Sequence, residues 1–144
     1  MHIHEKCFSI LVADDSEDDR LYLRTGLHVT SKLKIVAEVE DGEETMAYLS
    51  GAGKYSDRQK YPFPDLLVLD LKMPRFNGFE VLSWLRKHHF PTLKVVVHSG
   101  SLLKEDVAQT TDLGAHGYHV KPSSREEQRH ILGNMEALLQ GATT

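Results

Sequence analysis

Five short apolar segments alternate along the chain with stretches of helical periodicity, and this alternation constrains the fold more than any other feature. The apolar segments are rich in aliphatic and aromatic residues, which favours strands; they cover residues 7–13, 34–39, 66–70, 94–99 and 117–120. Repeated alternation of strand and helix is typical of a parallel sheet, since right-handed crossovers place helices on both faces. The sequence therefore predicts the α/β class, with a doubly wound, five-stranded parallel sheet and five helices.

The helices are marked by caps and apolar stripes. Ser16 is predicted to cap the first helix, because a serine hydroxyl accepts an N–H of the first turn; the others are predicted over residues 43–49, 78–87, 104–113 and 124–139. Before the third strand, the segment SGAGKYSDRQKYPFP is longer than most connections between helix and strand. We interpret it as a surface insertion, with a partner contact as the alternative, and expect it to expose Tyr55, Tyr61 and Phe63.

Composition excludes several classes of protein. The 144 residues, 40% of them hydrophobic, suffice for one globular domain, which is expected to span residues 1–144 without a second. A net charge of -4 provides no general attraction to nucleic acid. No apolar run approaches the length of a membrane span and no signal peptide precedes the domain, so a cytoplasmic protein is expected. Cys7, the single cysteine, is expected to be reduced and partly buried.

Acidic residues follow two of the predicted strands. Asp70 ends the apolar run in PDLLVLDLKMP, and an acid is tolerated there only where the buried strand stops. Asp14 and Asp15 follow the first strand in LVADDSEDD. Taken alone, DDSEDD is a cluster of acids of the kind that favours a helix N-terminus. If the first and third strands are neighbours, the three carboxylates converge at one edge of the sheet, repel one another and favour a divalent cation such as Mg²⁺.

Two further polar residues end the fourth and fifth strands. Ser99 provides a hydroxyl in VVVHSGS, and Lys121 provides an ammonium group in GYHVKP. Each alone is more often a turn former or a solvated surface charge. Together with a cation held by the acids, they form a set that is suited to binding phosphoryl oxygens while an aspartate acts as the nucleophile.

Four segments, ILVADDSEDD, PDLLVLDLKMPRFNGFEVL, VVVHSG and GAHGYHVKP, follow one another in the order found in receiver domains of bacterial two-component response regulators. The chain resembles this CheY-like family over about residues 8–139, and the resemblance implies a flavodoxin-like sheet of strand order 2-1-3-4-5. It implies that Asp70 accepts a phosphoryl group from the phosphohistidine of a sensor histidine kinase. It also implies that Mg²⁺ is bound by Asp15, Asp70 and the backbone carbonyl of Lys72, with Asp14 acting mainly through water.

The resemblance assigns roles around the phosphate as well. Ser99 and Lys121 would bind phosphoryl oxygens, the Lys121–Pro122 bond would be cis, and Gly78 would allow a tight turn into the third helix. Tyr118 stands at the position of the family's switch aromatic, with ordinary packing in the fifth strand as its alternative role. Phosphorylation would then alter a surface made of the fourth helix, the fifth strand and the fifth helix.

Two residues depart from the family's pattern or bear on rival functions. His98 replaces a usually apolar residue and is expected to be a neutral core histidine, with a pH-sensitive role as the alternative. Lys72 overhangs the predicted pocket, where a haloacid-dehalogenase-like phosphatase would require a second acid. A pseudo-receiver, which binds partners without being phosphorylated, would not require the complete set of acids, hydroxyl and lysine.

The expected role is signalling rather than enzymatic turnover, with self-catalysed phosphorylation and dephosphorylation at most. No output domain follows the fifth helix, so the phosphoryl group is expected to act on a downstream target protein or to pass to a histidine phosphotransfer protein. The acidic opening, the long loop and the chain length are similar to small receivers paired with phytochrome-like histidine kinases. The wider family also implies a homodimer through the surface of the fourth helix, fifth strand and fifth helix.

Overall fold

The computed structural model describes residues 7–28 and 32–141. Within these ranges the chain forms five strands: β1 (Phe8–Ala13), β2 (Leu33–Val39), β3 (Leu66–Leu69), β4 (Lys94–Ser99) and β5 (Gly117–Val120). All neighbouring strands are parallel, and their order in the sheet is β2-β1-β3-β4-β5. The predicted sheet and its strand order are therefore confirmed. Because β1 and β3 lie side by side, the residues that follow them meet at one edge of the sheet.

Five α-helices connect and cover the strands in the part of the chain that the structure describes: α1 (Glu17–Leu27), α2 (Gly42–Ser50), α3 (Gly78–His88), α4 (Lys104–Asp112) and α5 (Arg125–Leu139). The predicted bounds of the last four helices agree with these to within one residue at each end. Ser16 caps α1 as predicted, since its side chain accepts the N–H of Asp19. This cap fixes where α1 begins relative to the end of β1.

Helices pack on both faces of the sheet and produce two apolar cores. Along β1, Leu11 and Ala13 belong to a core that contains residues of α2 and α3, whereas Ile10 and Val12 belong to a core that contains residues of α1 and α5. Met135 of α5 is completely buried in the second core. Because both faces are covered, the strands carry apolar residues at successive positions instead of alternating with polar ones.

The loop before β3 is more ordered than the sequence predicts. Tyr55 is buried within a short 3-10 helix (Gly53–Ser56), and Tyr61 and Phe63 are half-buried, so the expected exposed aromatic patch is wrong. The rings of Tyr55 and Tyr61 pack edge to face, with their centroids 5.0 Å apart. Arg58 explains why the loop folds back, because its guanidinium group donates to the carbonyls of Tyr48 and Leu49 at the end of α2.

Cys7 is exposed, which corrects the expectation of a partly buried thiol. The strand begins one residue later, at Phe8, so Cys7 precedes the sheet and is not part of it. Among the helices of the described residues, none is both long and apolar enough to cross a membrane.

Candidate functional site

Asp70 follows β3 directly and is buried at the carboxyl edge of the sheet. Its backbone N–H continues the sheet by donating to the carbonyl of Ala13 at 2.9 Å. Its carboxylate Oδ1 accepts the N–H of Leu71 at 2.8 Å. One carboxylate oxygen is therefore oriented by the backbone, and the other, Oδ2, faces the neighbouring strand ends.

Asp14 and Asp15 follow β1 and meet Asp70, as the sequence predicts. One carboxylate oxygen from each of the three residues lies within 4.8 Å of the other two. Asp14 is buried and Asp15 is exposed. Burial raises the pKa of Asp14, and the charge of Asp70 adds to the effect, although hydrogen bonds from Ser16 and Lys121 oppose it. Carboxylate oxygens in this arrangement are the ligands that Mg²⁺ and similar hard cations prefer.

Lys121 follows β5 and inserts its ammonium group among the acids. Its Nζ lies 2.9 Å from Asp14 Oδ2 and 3.1 Å from Asp70 Oδ2. Burial alone would lower the pKa of Lys121, but hydrogen bonds to Asp19 and Asp14 and the charges of Asp14 and Asp70 outweigh it and raise the pKa. Lys121 is thus a fully charged cation beside the predicted nucleophile.

Asp19 is a member of the site that the sequence did not reveal. Its Oδ2 is 2.7 Å from Lys121 Nζ. The acids of DDSEDD were accounted for by the helix N-terminus, and three of them, Glu17, Asp18 and Asp19, lie in the first turn of α1. No spacing rule identifies which of these three faces a lysine that is more than a hundred residues away.

The peptide bond that follows Lys121 differs from the prediction. The described residues contain no cis peptide bond, so the Lys121–Pro122 bond is trans. The trans form of an X–Pro bond is favoured by about 0.5–1 kcal/mol, and in this form Lys121 reaches all three of its acidic neighbours.

Ser99 ends β4, is almost completely buried and lies beside the same cavity. Its Oγ accepts the N–H of Ser101 at 3.2 Å. Tyr118 is half-buried, and its hydroxyl donates to the carbonyl of Ser101 at 3.0 Å. Ser101 also donates from its own hydroxyl to Asp106 of α4. Ser101, which sequence reasoning missed, therefore connects Ser99, Tyr118 and α4.

The cavity above Asp70 has a volume of about 690 Å³. Asp15, Asp19, Ser99 and Lys121 are among its lining residues. Lys72 lines it too, with an exposed side chain, which agrees with the predicted overhang. The cavity is open to solvent, and its lining combines carboxylates with an ammonium group.

Gly78, which is predicted to allow a tight turn into the third helix, does not have a positive φ, and close packing explains the glycine at this position. A Cβ atom at this position would lie 2.5 Å from the carbonyl oxygen of Asp70 and 2.8 Å from Cα of Leu71. The N–H of Gly78 donates to the carbonyl of Leu71 at 3.0 Å. The start of α3 is thereby held directly against the backbone that carries Asp70.

His98 is a buried core histidine, as predicted from its position in β4. Burial lowers its pKa to about 4, and the nearby charge of Lys121 contributes to this shift. The imidazole is therefore neutral at pH 7.

The fold and the acidic edge together define a class of protein, and the family comparison identifies it. The response regulator receiver domain model matches residues 10–132. This match covers most of the chain, and the protein belongs to the response regulator receiver domain family.

Several named relatives share this domain. The chain is 35% identical over 130 residues to a protein-glutamate methylesterase/protein-glutamine glutaminase of Myxococcus xanthus, covering 90% of this chain and 33% of the relative. It is 32% identical to the nitrate/nitrite response regulator NarL of Escherichia coli, covering 76% of this chain and 48% of NarL. The chain thus spans between a third and half of these two relatives. It is 28% identical to the response regulator Rcp1 of Synechocystis sp., covering 89% of this chain and 86% of Rcp1.

The chain is also similar to response regulators of known structure. The phosphorylated cyanobacterial phytochrome response regulator RcpA superposes with a TM-score of 0.79 at 30% identity, covering 96% of this chain and 97% of RcpA. The Mn²⁺-bound form of Rcp1 superposes with a TM-score of 0.76 at 26% identity, covering 95% and 97% of the two chains.

Proposed function

We propose that Asp70 is the phosphoacceptor of this receiver domain. The supporting observation is the convergence of Asp14, Asp15 and Asp70, with Lys121 Nζ at 3.1 Å from Asp70. A carboxylate oxygen of Asp70 attacks the phosphorus of a phosphohistidine and forms an O–P bond. The P–N bond breaks, and the released imidazole nitrogen takes up a proton. Ser99 and Lys121 donate hydrogen bonds to the transferred phosphoryl oxygens, which disperse the charge.

Asp14, Asp15, Asp70 and the backbone carbonyl of Lys72 would hold Mg²⁺. The oxygen donors of the three carboxylates suit such an ion, and Rcp1 is known in a Mn²⁺-bound form. When bound, the ion neutralises negative charge that develops on the phosphoryl group. Within the chain, Asp14 is oriented for this role by the N–H of Ser16, which donates to its Oδ1 at 2.9 Å.

The proposed switch is the group of contacts around Ser101. A phosphoryl group on Asp70 attracts the Ser99 hydroxyl, which at present accepts from Ser101. Movement of Ser101 would alter its contact with Tyr118, allowing the ring to turn inward. The surface affected comprises α4, β5 and α5. Exposed large apolar side chains lie on α4 (Val107), at the end of β5 (Val120) and in the segment that leads into α4 (Leu102 and Leu103). This surface binds a downstream target or a second copy of the chain.

The phosphodonor is proposed to be a phytochrome-type histidine kinase in the cytoplasm, or a histidine phosphotransfer protein in a relay. The similarity to RcpA, which is described as a phytochrome response regulator, supports the first of these donors. A methylesterase relative carries the domain within a longer enzyme, whereas the residues described here suit a phosphoacceptor without turnover of a separate substrate.

The test is the intact mass of the protein after incubation with acetyl phosphate and Mg²⁺, compared with Asp70→Asn. We expect one added phosphoryl group on the native chain, and none in the variant or without Mg²⁺. If neither an adduct nor binding of beryllofluoride is detected, the phosphoacceptor function is refuted and the pseudo-receiver alternative is favoured.

A further inference from the structure

Asp19 makes the shortest contact with the cation of the site, although it lies outside the set of acids that hold the metal in the proposed function. Its Oδ2 is 2.7 Å from Lys121 Nζ, compared with 2.9 Å for Asp14 and 3.1 Å for Asp70. It belongs to α1, whereas the other two acids follow strands. Lys121 is therefore held from the helix side of the cavity as well as from the sheet edge.

The position of Asp19 is fixed by the cap of α1. Its backbone N–H donates to Ser16 Oγ at 3.2 Å. Ser16 also donates its own N–H to Asp14 Oδ1, so one capping residue orients two of the three partners of Lys121. The helix places the Asp19 carboxylate at the cavity, where it is among the lining residues.

The number of donors on Lys121 limits what it can bind. An ammonium group has three N–H donors; Lys121 donates hydrogen bonds to Asp19 and Asp70, and Asp14 Oδ2 lies 2.9 Å from its Nζ as an ion-pair partner. A phosphoryl oxygen on Asp70 therefore has to attract an ammonium group that these carboxylates already surround.

Exposure indicates which of the three is released. The side chains of Asp14 and Asp70 are 5% and 7% exposed, and that of Asp19 is 41% exposed. In the proposed function the two buried acids are at the metal and phosphoryl site itself, whereas Asp19 stands outside it and, being partly exposed, is readily hydrated when Lys121 moves away. Asp19 therefore loses Lys121 at the smallest cost.

We propose that Asp19 is a positioning residue that holds Lys121 over Asp70 in the unphosphorylated protein and releases it to the phosphoryl group. This inference rests on the proposed phosphoacceptor function. Because Asp19 and the phosphoryl group compete for the ammonium group of Lys121, removal of the Asp19 charge strengthens binding of a phosphoryl group, and the Asp19 carboxylate sets how readily the receiver reaches the phosphorylated state.

The matched pair of variants is Asp19→Asn and Asp18→Asn. Both remove one negative charge from the first turn of α1, and both replacements are isosteric. Asp18 is exposed and is not among the carboxylates that contact Lys121. Asp18→Asn controls for the loss of one negative charge from this turn, whereas only Asp19→Asn also removes a direct contact with Lys121.

The first measurement needs neither metal nor phosphate. The rate at which an amine-acylating reagent modifies Lys121 is followed by peptide mass spectrometry. Asp19→Asn should increase this rate about two- to fivefold, because a partly exposed ion pair contributes at most about fivefold to an equilibrium. Asp18→Asn should leave it unchanged. Equal acylation rates of Lys121 in the two variants would show that Asp19 does not hold Lys121.

The second measurement is the affinity for beryllofluoride at saturating Mg²⁺, by titration calorimetry. Asp19→Asn should bind up to about fivefold more tightly than the native protein, with Asp18→Asn close to the native value. If the native protein and Asp19→Asn bind beryllofluoride with equal affinity, Asp19 does not compete with the phosphoryl group for Lys121. If the native protein and both variants do not bind beryllofluoride, the proposed function fails, and the acylation rates still decide whether Asp19 holds Lys121.

Discussion

At the scale of single residues, Lys121 balances the charge of an otherwise acidic pocket. Its ammonium group lies within 3.1 Å of carboxylate oxygens from Asp14, Asp19 and Asp70, and two of these acids are buried. Without the cation, the buried carboxylates would repel one another with no partner of opposite charge. The lysine therefore contributes to the stability of the fold as well as to the proposed chemistry.

Lys121→Ala should lower the free energy of unfolding by about 1–3 kcal/mol in the presence of EDTA, because it leaves buried carboxylates unpaired. Mg²⁺ should return part of this loss by supplying positive charge. Urea unfolding with EDTA and with Mg²⁺ measures both effects. An unchanged midpoint in EDTA would show that water already solvates the acids.

Gly78→Ala should destabilise the protein by about 1–3 kcal/mol, since its Cβ must displace backbone atoms next to Asp70. Gly133→Ala is the matched control, because a Cβ at this position in α5 meets no atom within 4 Å. The control should stabilise the protein by up to about 1 kcal/mol through helix propensity. Urea unfolding gives both values; a similar sign for the two variants would contradict the packing argument.

His98 makes stability depend on pH. Its pKa is lowered from 6.5 to about 4 in the folded protein, mainly by burial, so the unfolded chain binds the proton first as pH falls. The contribution of neutral His98 to stability should therefore be present above pH 6.5. The free energy of unfolding should fall by about 2–3 kcal/mol as pH decreases towards 4, at about 1.36 kcal/mol per pH unit. His98→Leu should show a flatter profile. Because Asp14 is present in both proteins, the difference between the two profiles isolates the histidine.

At the scale of secondary structure elements, strands and helices were predictable because their signals are local. β4 and β5 have the predicted bounds, and α3 differs from its prediction by one residue. The loop before β3 was not predictable in this way. Its order depends on Arg58 reaching the carbonyls of Tyr48 and Leu49, which precede it by ten and nine residues, and no periodicity records such a contact.

Arg58→Ala tests this account of the loop. The substitution leaves carbonyls at the end of α2 without their donor and should cost about 1–3 kcal/mol of stability. Lys60→Ala removes an equal charge from the same loop, where the side chain is exposed, and should cost less than about 0.5 kcal/mol. Denaturant unfolding and proteolysis within the loop report the difference. Equal effects of the two variants would mean that charge alone, and not capping, orders the loop.

The candidate site was likewise predictable only in part. Asp14, Asp15, Asp70, Ser99 and Lys121 each follow or end a strand, so the strand order brings them together. Asp19 and Ser101 lie in a helix and a loop, and their side chains reach the site through the orientation of α1 and through hydrogen bonds around β4. Strand order predicts the first group, whereas the second depends on side-chain geometry.

At the scale of the whole molecule, the apolar residues exposed on the proposed binding surface of α4, β5 and α5 allow a test of what that surface binds. Val107→Glu places a charge on α4, where the native side chain is 39% exposed, and should prevent self-association or target binding while phosphorylation of Asp70 continues. Leu21→Glu is the control on α1, at 50% exposure. Light scattering with Mg²⁺ and beryllofluoride measures association. Loss of association in the control alone would assign the interface to α1.

The contacts of Lys121 also determine when the pocket around Asp70 is completed during synthesis of the chain. The partners of Lys121 lie 51 residues away at Asp70 and 102 residues away at Asp19, and contacts between residues so far apart in sequence form more slowly than local ones. A nascent chain whose residue 121 is still within the ribosome has every acid of the pocket but not the cation that balances them. If Asp70 is the phosphoacceptor proposed above, its site is complete only after β5 has joined the sheet, and a partly synthesised chain would not yet receive a phosphoryl group.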